Sequence, residues 1–448
     1  MSQREVVIVE GVRTPFAKSG ADLAGVHPSE LGTVALKELL QKVALDVGLI
    51  DEVIMGNTGS PSDAVNISRV VALNAGVPLK TSAYTVHRNC ASALESIASG
   101  YERIKSGTMD VVVSGGTENM SQMPLIWNHE HMKRFNKLAA ARTGGAKLKA
   151  LLSLLMANIG QVKEIATTSP MKNTRLKPRI SLVEGLTDPF VGINMGQTAE
   201  ILAKEFGLSR EEQDRFAMNS HHKAGKAQEN GNLAEEITPV YLPPKYNKIV
   251  EQDVGPRKNQ SMEALAKLKP IFDRKYGTVT PGNACPITDG AAVLLLMDSE
   301  KAKALGYKPL AKIRSYAFAG LEPERMGLGP AYSTPIALKR AGLTLKDIDR
   351  VELNEAFAAQ VMACQKAMAS DKFCQEKLGL TSAVGELSDD ILNVNGGAIA
   401  LGHPVGATGT RLVLTLMKEL KRSQKQFGLA TLCIGGGQGG AMVIENLN

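Results

Sequence analysis

The feature that most constrains the fold is an internal echo between two distant stretches of the 448-residue chain. After Cys90 a helical pattern runs to about Ile104, and the apolar run Asp110-Val111-Val112-Val113-Ser114 and Gly115-Gly116 follow. After His403 a helical pattern runs to about Lys421, and the apolar run Gly428-Leu429-Ala430-Thr431-Leu432, Cys433 and Gly435-Gly436 follow. Upstream of each, a further pair matches. Thr33-Val34-Ala35-Leu36-Lys37 with Asp51-Glu52-Val53-Ile54-Met55 parallels Thr334-Pro335-Ile336-Ala337-Leu338-Lys339 with Asp349-Arg350-Val351-Glu352-Leu353. Each joins a helix to a following strand, so the chain reads as a duplicated α/β protein, long enough for two or more domains.

The ends of these units carry the chemistry. A thiolate is nucleophilic near neutral pH when a base, a cation or a helix N-terminus lowers its pKa, and it exchanges readily with thioesters. Cys90, in His87-Arg88-Asn89-Cys90-Ala91-Ser92, is expected at a helix start, where the dipole favours the thiolate. His403, between Gly402 and Pro404, reads as a loop residue free to take the Cys90 proton. Cys433 closes a strand, and the glycines after it offer backbone N–H groups to a reacting oxygen. Singly, each residue has a blander reading, since a lone Cys is more often packing and a lone loop His more often solvated. Gly435, Gly437 and Gly440 match the dinucleotide fingerprint G-x-G-x-x-G, but too few residues follow Gly440 to build a βαβ unit.

Taken together, the segments resemble the thiolase family. Four of its segments occur in order: Cys90 in His87 to Ser92, Asn354-Glu355-Ala356-Phe357-Ala358, Gly402-His403-Pro404-Val405-Gly406-Ala407-Thr408-Gly409, and Cys433-Ile434-Gly435-Gly436-Gly437-Gln438-Gly439. The resemblance begins at Gly11-Val12-Arg13-Thr14-Pro15-Phe16 and covers nearly the whole chain. It implies two βαβαβαββ halves packed as an αβαβα layered sandwich with an inserted loop domain. On that pattern residues 1–122 begin the N-terminal half, 123–269 form the insertion, 270–300 complete the half, and 301–448 form the C-terminal half.

The same resemblance implies roles. Cys90 becomes acylated, His403 activates it, and Cys433 acts as general acid and base, taking the proton of incoming coenzyme A or protonating the departing enolate. One oxyanion hole uses His403 and a water held by Asn354, the other the N–H groups of Cys90 and Gly435. Coenzyme A enters as substrate; no resident cofactor and no metal are expected. Arg257 matches a family residue near the adenine and phosphates, and Met195 one lining the pantetheine channel. Cys285 stands where thiolases usually offer a Ser to the pantetheine, and a thiol is a weaker hydrogen-bond partner.

The length of the insertion, Tyr276-Gly277-Thr278-Val279-Thr280, Leu328-Gly329-Pro330-Ala331-Tyr332-Ser333-Thr334-Pro335 and Ser370-Asp371-Lys372-Phe373 resemble the thiolase β-subunits of fatty-acid oxidation complexes, which join an α-subunit with hydratase and dehydrogenase activities. Those subunits commonly carry His where this chain has Asn354, as simpler thiolases do. Three functions therefore stand open: a β-oxidation thiolase, a short-chain acetoacetyl-CoA thiolase, and an acyl-CoA or lipid carrier without activity. The retained Cys90, His403, Cys433 and Asn354 speak against the carrier, and Cys433 against a decarboxylating condensing enzyme. The family implies at least a homodimer.

Composition fits an enzyme of a reducing compartment. Five cysteines without regular spacing argue against a disulfide framework, and Cys364 and Cys374 lack the spacing of a zinc site. Val6 to Gly11 already read as a first strand, so no presequence is expected and the location is cytoplasmic. The net charge of +7 is dispersed, with few aromatics, which favours attraction to coenzyme A phosphates over nucleic-acid binding. Inside the insertion, residues 142–156 form an apolar stretch with basic flanks, too short to cross a bilayer. It reads as a helix packed on its own domain, or as a cover for an acyl chain, a membrane-surface element or a partner contact.

Overall fold

The computed structural model describes residues 4–127, 129–165 and 179–448. Nine strands make its main sheet: β1 (Val6–Arg13), β2 (Glu52–Gly56), β3 (Ser82–Val86), β4 (Val111–Asn119), β5 (Thr288–Asp298), β6 (Ala311–Gly320), β7 (Arg350–Leu353), β8 (Phe427–Ile434) and β9 (Gln438–Asn446), with the two-residue strand Ala17–Lys18 beside β5. Their order is β7-β8-β9-β6-β1-β5-β4-β2-β3. Reading outward from the centre, β1-β5-β4-β2 mirrors β6-β9-β8-β7, and within the sheet the halves are joined where Val7 and Ile8 pair with Lys312 and Ala311. The parallel pairs β2–β4 and β7–β8 occupy equivalent places. The position of β3 in the second half is held by a single bridge from Val351 to Leu392. The duplication expected from sequence is thus written in the strand order.

The principal helices are α1 (Pro28–Val43), α2 (Ile67–Asn74), α3 (Ser92–Lys105), α4 (His129–Ala140), α5 (Gly144–Ile165), α6 (Met195–Glu205), α7 (Arg210–Glu229), α8 (Gly329–Ala341), α9 (Ala358–Met368) and α10 (Thr408–Ser423). Strand alternation sorts side chains into three cores. Val53 and Val113 face α1 and α2 with Leu36 and Val71. Ile54 and Val112 face the other way, toward Leu94 and Ile97 of α3 and Leu412 and Leu416 of α10, which also meet Leu432 and Met442. Val351 and Leu429 pack under Leu338 of α8 and Val361 of α9. These cores separate five layers, αβαβα, with α3 and α10 between the half-sheets.

Two buried helices at the centre demand close approach. A Cβ on Gly409 would lie 2.3 Å from the Leu94 nitrogen, and one on Gly116 only 1.8 Å from the Gly406 oxygen. Only glycine admits backbones at that separation. Polar groups of α3 are satisfied inside: Ser96 Oγ donates to Gly115 O (2.7 Å) and Ser114 Oγ to Ser96 O (2.9 Å).

Residues 123–187 form a compact unit of their own, with Leu125–Ile126 paired antiparallel to Arg179–Ile180, and α4 joined to α5 through Arg134 Nη1 donating to Ser153 O (2.7 Å). The remainder of the expected insertion, 188–269, belongs to the main unit. Stretch 142–156 runs into α5, where Leu148, Leu151 and Leu152 are exposed and Leu154 is buried. No helix among the described residues is long and apolar enough to cross a membrane.

Candidate active site

Cys90 lies in the link from β3 to α3, two residues before the first helical residue. Asn89 takes a left-handed conformation (φ 45°), which Asn tolerates better than most residues, and its Nδ2 donates to Gly435 O at 2.7 Å. Ser92 Oγ braces the turn, accepting from Arg88 N (2.9 Å) and donating to Asn89 O (2.7 Å). The backbone N–H groups of Gly435 and of Cys90 itself act to lower the Cys90 thiol pKa. They favour a thiolate, yet burial outweighs them and pushes the thiol pKa up. The helix dipole invoked from sequence does not prevail, so the resting sulfur keeps its proton and needs a base.

His403, the base expected from sequence, is held in a loop tied to residues 287 and 288. Gly402 has φ 104°, and a Cβ there would strike the Thr288 hydroxyl, which accepts from His403 N at 3.1 Å. Ile287 bridges to His403 along the same stretch. The ring Nδ1 lies 2.6 Å from Thr408 Oγ1, and that hydroxyl donates its one hydrogen to Pro404 O (2.9 Å). Thr408 must therefore accept from His403, which fixes the hydrogen of the neutral ring on Nδ1 and leaves the Nε2 lone pair bare. Nε2 is buried and has no protein partner. Burial and the Arg411 guanidinium depress the imidazole pKa to about 3, so the ring is neutral across physiological pH.

Asn354 follows β7 and donates its backbone N–H to Thr431 O (2.9 Å), while both ends of its side-chain amide are buried without a protein partner. Residues 283–288 cross between this segment and the His403 loop: Ala284 bridges to Phe357, Cys285 N donates to Ala356 O (3.0 Å), and Ile287 reaches His403. Cys433 is buried near the end of β8, in a cluster with Val279, Ala284, Met326 and Phe357, against which Met195, Phe272 and Cys285 pack. Burial, together with the charge that Cys90 and Cys285 would carry as thiolates, holds the Cys433 thiol far above the ordinary range, and Cys285 is pushed up to about 12. Gly436 (φ 89°) and Gly437 (φ 77°) turn the chain into β9, which explains the glycine run as a hairpin and leaves Gly439 and Gly440 inside a strand. A Cβ on Gly435 would sit 3.3 Å from the Met195 sulfur.

Cys90, Gly435, Met195, Cys285, Cys433 and Asn354 thus share one neighbourhood, and His403 joins it through residues 284–288. Arg257 stands apart. Its side chain is exposed, and its backbone N–H donates to His221 Nδ1 (3.2 Å) on α7. Among the described residues no group of three or more His, Cys, Asp or Glu is placed to hold a metal.

Sequence reasoning missed the groups that bind these loops together. Glu118, buried at the end of β4, accepts from Thr58 N (2.9 Å), Gly59 N (2.9 Å), Asn57 Nδ2 (3.0 Å) and Gly406 N (2.9 Å). It joins the first half to the His403 loop of the second. Glu355 accepts from Ser220 Oγ (2.6 Å), Asn393 Nδ2 (2.9 Å) and Ile399 N (3.1 Å). Thr408 and Glu355 lie inside motifs quoted above, whereas nothing local marked Glu118.

Residues 6–300 match the family description "Thiolase, N-terminal domain" and 307–446 "Thiolase, C-terminal domain". The 3-ketoacyl-CoA thiolase of Pseudoalteromonas translucida is 41% identical over 442 residues, covering 98% of this chain and 97% of that protein. The protein of the same name from Serratia proteamaculans is 40% identical over 441 residues, covering 98% and 96%. Among solved structures, the Bacillus anthracis acetyl-CoA acetyltransferase superposes with TM-score 0.83 at 36% identity, covering 99% of each chain. Human mitochondrial 3-ketoacyl-CoA thiolase in complex with CoA superposes with TM-score 0.83 at 34% identity, covering 99% of this chain and 98% of that one.

Proposed function

The chain belongs to the thiolase family, and from that premise we propose that it is an acyltransferase cleaving 3-ketoacyl-CoA with coenzyme A, in fatty-acid β-oxidation. The observation that supports the reading is a buried His403 whose Nε2 lone pair has no protein partner, together with a Cys90 thiol whose pKa burial raises against the opposing backbone N–H groups of Cys90 and Gly435.

The steps follow from that arrangement. His403 Nε2 takes the Cys90 proton as the sulfur attacks C3 of the substrate, and the oxyanion formed there is met by the Cys90 and Gly435 N–H groups. The C2–C3 bond then breaks, leaving an acyl thioester on Cys90 and the enolate of acetyl-CoA. The enolate oxygen is held by His403, now protonated, and by Asn354 through a water. Cys433 gives its proton to C2 and acetyl-CoA departs. Coenzyme A enters, gives its thiol proton to Cys433 and attacks the acyl carbon; Cys90 leaves and recovers its proton from His403. A Cys433 thiol held far above the ordinary range suits a group that must donate to carbon and later accept from sulfur. Reversed, the same steps condense two acyl-CoA molecules.

Met195 and Cys285, against the Cys433 cluster, are placed to flank the pantetheine, and Arg257 lies on an exposed loop suited to the phosphates. We place the enzyme in the reducing cytoplasm, because the chemistry needs Cys90 and Cys433 as thiols. β3 ends the sheet as a half-exposed edge, which favours pairing with a second copy. A hydratase and dehydrogenase α-subunit is the natural further partner if the β-oxidation reading holds; co-purification tests it. Asn354, which matches simpler thiolases, favours as second reading a short-chain acetyltransferase like the Bacillus anthracis protein. Thiolysis by the purified chain across C4 to C16 substrates separates the two. Activity on long chains supports β-oxidation, activity on acetoacetyl-CoA alone the short-chain reading, and full turnover by Cys90→Ala refutes both.

A further inference from the structure

The buried Asn354 carboxamide makes no hydrogen bond to the protein, so its position depends on packing and on the backbone around it. On one edge of β7, Asn354 N pairs with Thr431 O of β8. On the other edge a strand begins and stops: Val351 N donates to Ile391 O (2.8 Å), and Asn393 N to Val351 O (2.8 Å). There the chain turns away, with Asn393 in the left-handed region (φ 45°) and Gly396 N closing on Asn393 O (2.9 Å). The carboxamide of Asn393 continues the ladder in place of a peptide group. Its Oδ1 accepts from Leu353 N (2.9 Å), and its Nδ2 donates to Leu353 O (2.9 Å) and to Glu355 Oε1 (2.9 Å).

One buried amide thus grips the residues on both sides of Asn354, and both donors and the acceptor of that amide are engaged. Glu355 is held in turn by Ser220 Oγ and Ile399 N, and it lies so close to Gly397 that a Cβ there would sit 2.2 Å from its carboxyl carbon. We propose that Asn393 is a positioning residue that fixes Asn354 for its contact with the enolate oxygen during carbon–carbon cleavage. The proposal rests on the enolate role given to Asn354 above.

The two oxyanion sites separate two reactions. Exchange of acetyl-CoA with labelled coenzyme A needs only acyl transfer to and from Cys90, and so the Cys90 and Gly435 N–H groups. Thiolysis of acetoacetyl-CoA needs the enolate site as well. Asn393→Gly keeps the left-handed turn and deletes the amide; Asn393→Asp keeps the turn and one acceptor and deletes both donors. Both are compared with Asn354→Ala in the full-length chain, with the thermal midpoint measured, and Asn393→Asp carries the test if the glycine variant does not fold.

A displaced group near the chemistry costs on the order of 10- to 100-fold. The expected result is a kcat for thiolysis down by about that factor, with KM and exchange within about threefold. Equal loss of thiolysis and exchange, or no loss while Asn354→Ala is impaired, overturns the proposal. Full thiolysis by Asn354→Ala instead refutes the enolate role of Asn354, and the proposal falls with it.

Discussion

Replacing Thr408 with Val tests the reasoning about His403 most directly. The substitution keeps shape and removes the oxygen 2.6 Å from Nδ1. The local backbone is little affected, because Pro404 O still accepts from Ala407 N (2.9 Å) and Thr408 N (3.0 Å). A buried N–H left without an acceptor costs about 1–3 kcal/mol. The ring escapes that cost by moving its hydrogen to Nε2, where water or a bound substrate oxygen can accept it, and Nε2 is then useless as a base. At about 1.4 kcal/mol per factor of ten, the active tautomer is depleted roughly fivefold to 150-fold. Thiolysis and the rate of Cys90 alkylation by iodoacetamide should both fall within that range, since both need the proton taken. Thr408→Ser, which retains the acceptor, should restore them. Nitrogen NMR of His403 reads the tautomer itself. A Val variant with wild-type alkylation, or one that loses activity while the hydrogen stays on Nδ1, would refute the argument.

Cys433→Ala should lower thiolysis by about 10²- to 10⁴-fold, the usual worth of a general acid and base, while Cys90 alkylation stays unchanged; slowed alkylation would mean that Cys433 acts on Cys90 rather than on substrate. Gly116→Ala drives a methyl into the Gly406 oxygen, so urea unfolding should show a loss of about 3 kcal/mol or more with activity abolished, whereas Gly25→Ala, in open space, should stay within about 0.5 kcal/mol. His221 is held to about 4 by burial and by the Arg257 and His222 charges. Below pH 6.5 the unfolded chain binds its proton first, so this residue makes the fold less stable as pH falls from about 6.5 to about 4. His221→Asn keeps an acceptor for Arg257 N–H; relative to wild type it should gain up to about 1.4 kcal/mol per pH unit over that window, and a difference independent of pH would contradict the assignment.

Elements with strong local signals were legible before any coordinates. The helix after Cys90 was expected to end near Ile104 and ends at Lys105; the strand after it begins at Val111; the first strand begins at Val6. β9 was implied by the closing ββ pair of the family pattern and not by its own residues, because Gly439 and Gly440 carry no strand signal and are held by pairing with β6 and β8. The upward push of burial on the Cys90 thiol was not legible either, since helix position is local and burial is not. Glu118 illustrates the general reason. Its contact to Gly406 spans 288 positions, and nothing in the residues beside it distinguishes it from a carboxylate at a strand end. Asn395 before the Gly396-Gly397 pair announces a turn, but that the side chain of Asn393, two residues earlier, finishes a β-ladder is visible only once β7 is in place.

The close approach at Gly116 has a historical consequence. On the mechanism proposed above, the reacting sulfur belongs to one half of the duplicated fold and its base to the other, and the two halves touch where the Gly406 carbonyl fills the space a side chain on Gly116 would need. Neither copy can therefore drift alone. A substitution that thickens either surface is judged at once against its counterpart, and hybrids joining the first half of one relative to the second half of another inherit a mismatch at the centre unless both contributors left that space empty. Duplication here did not yield two sites to diversify; it yielded one site with two parents.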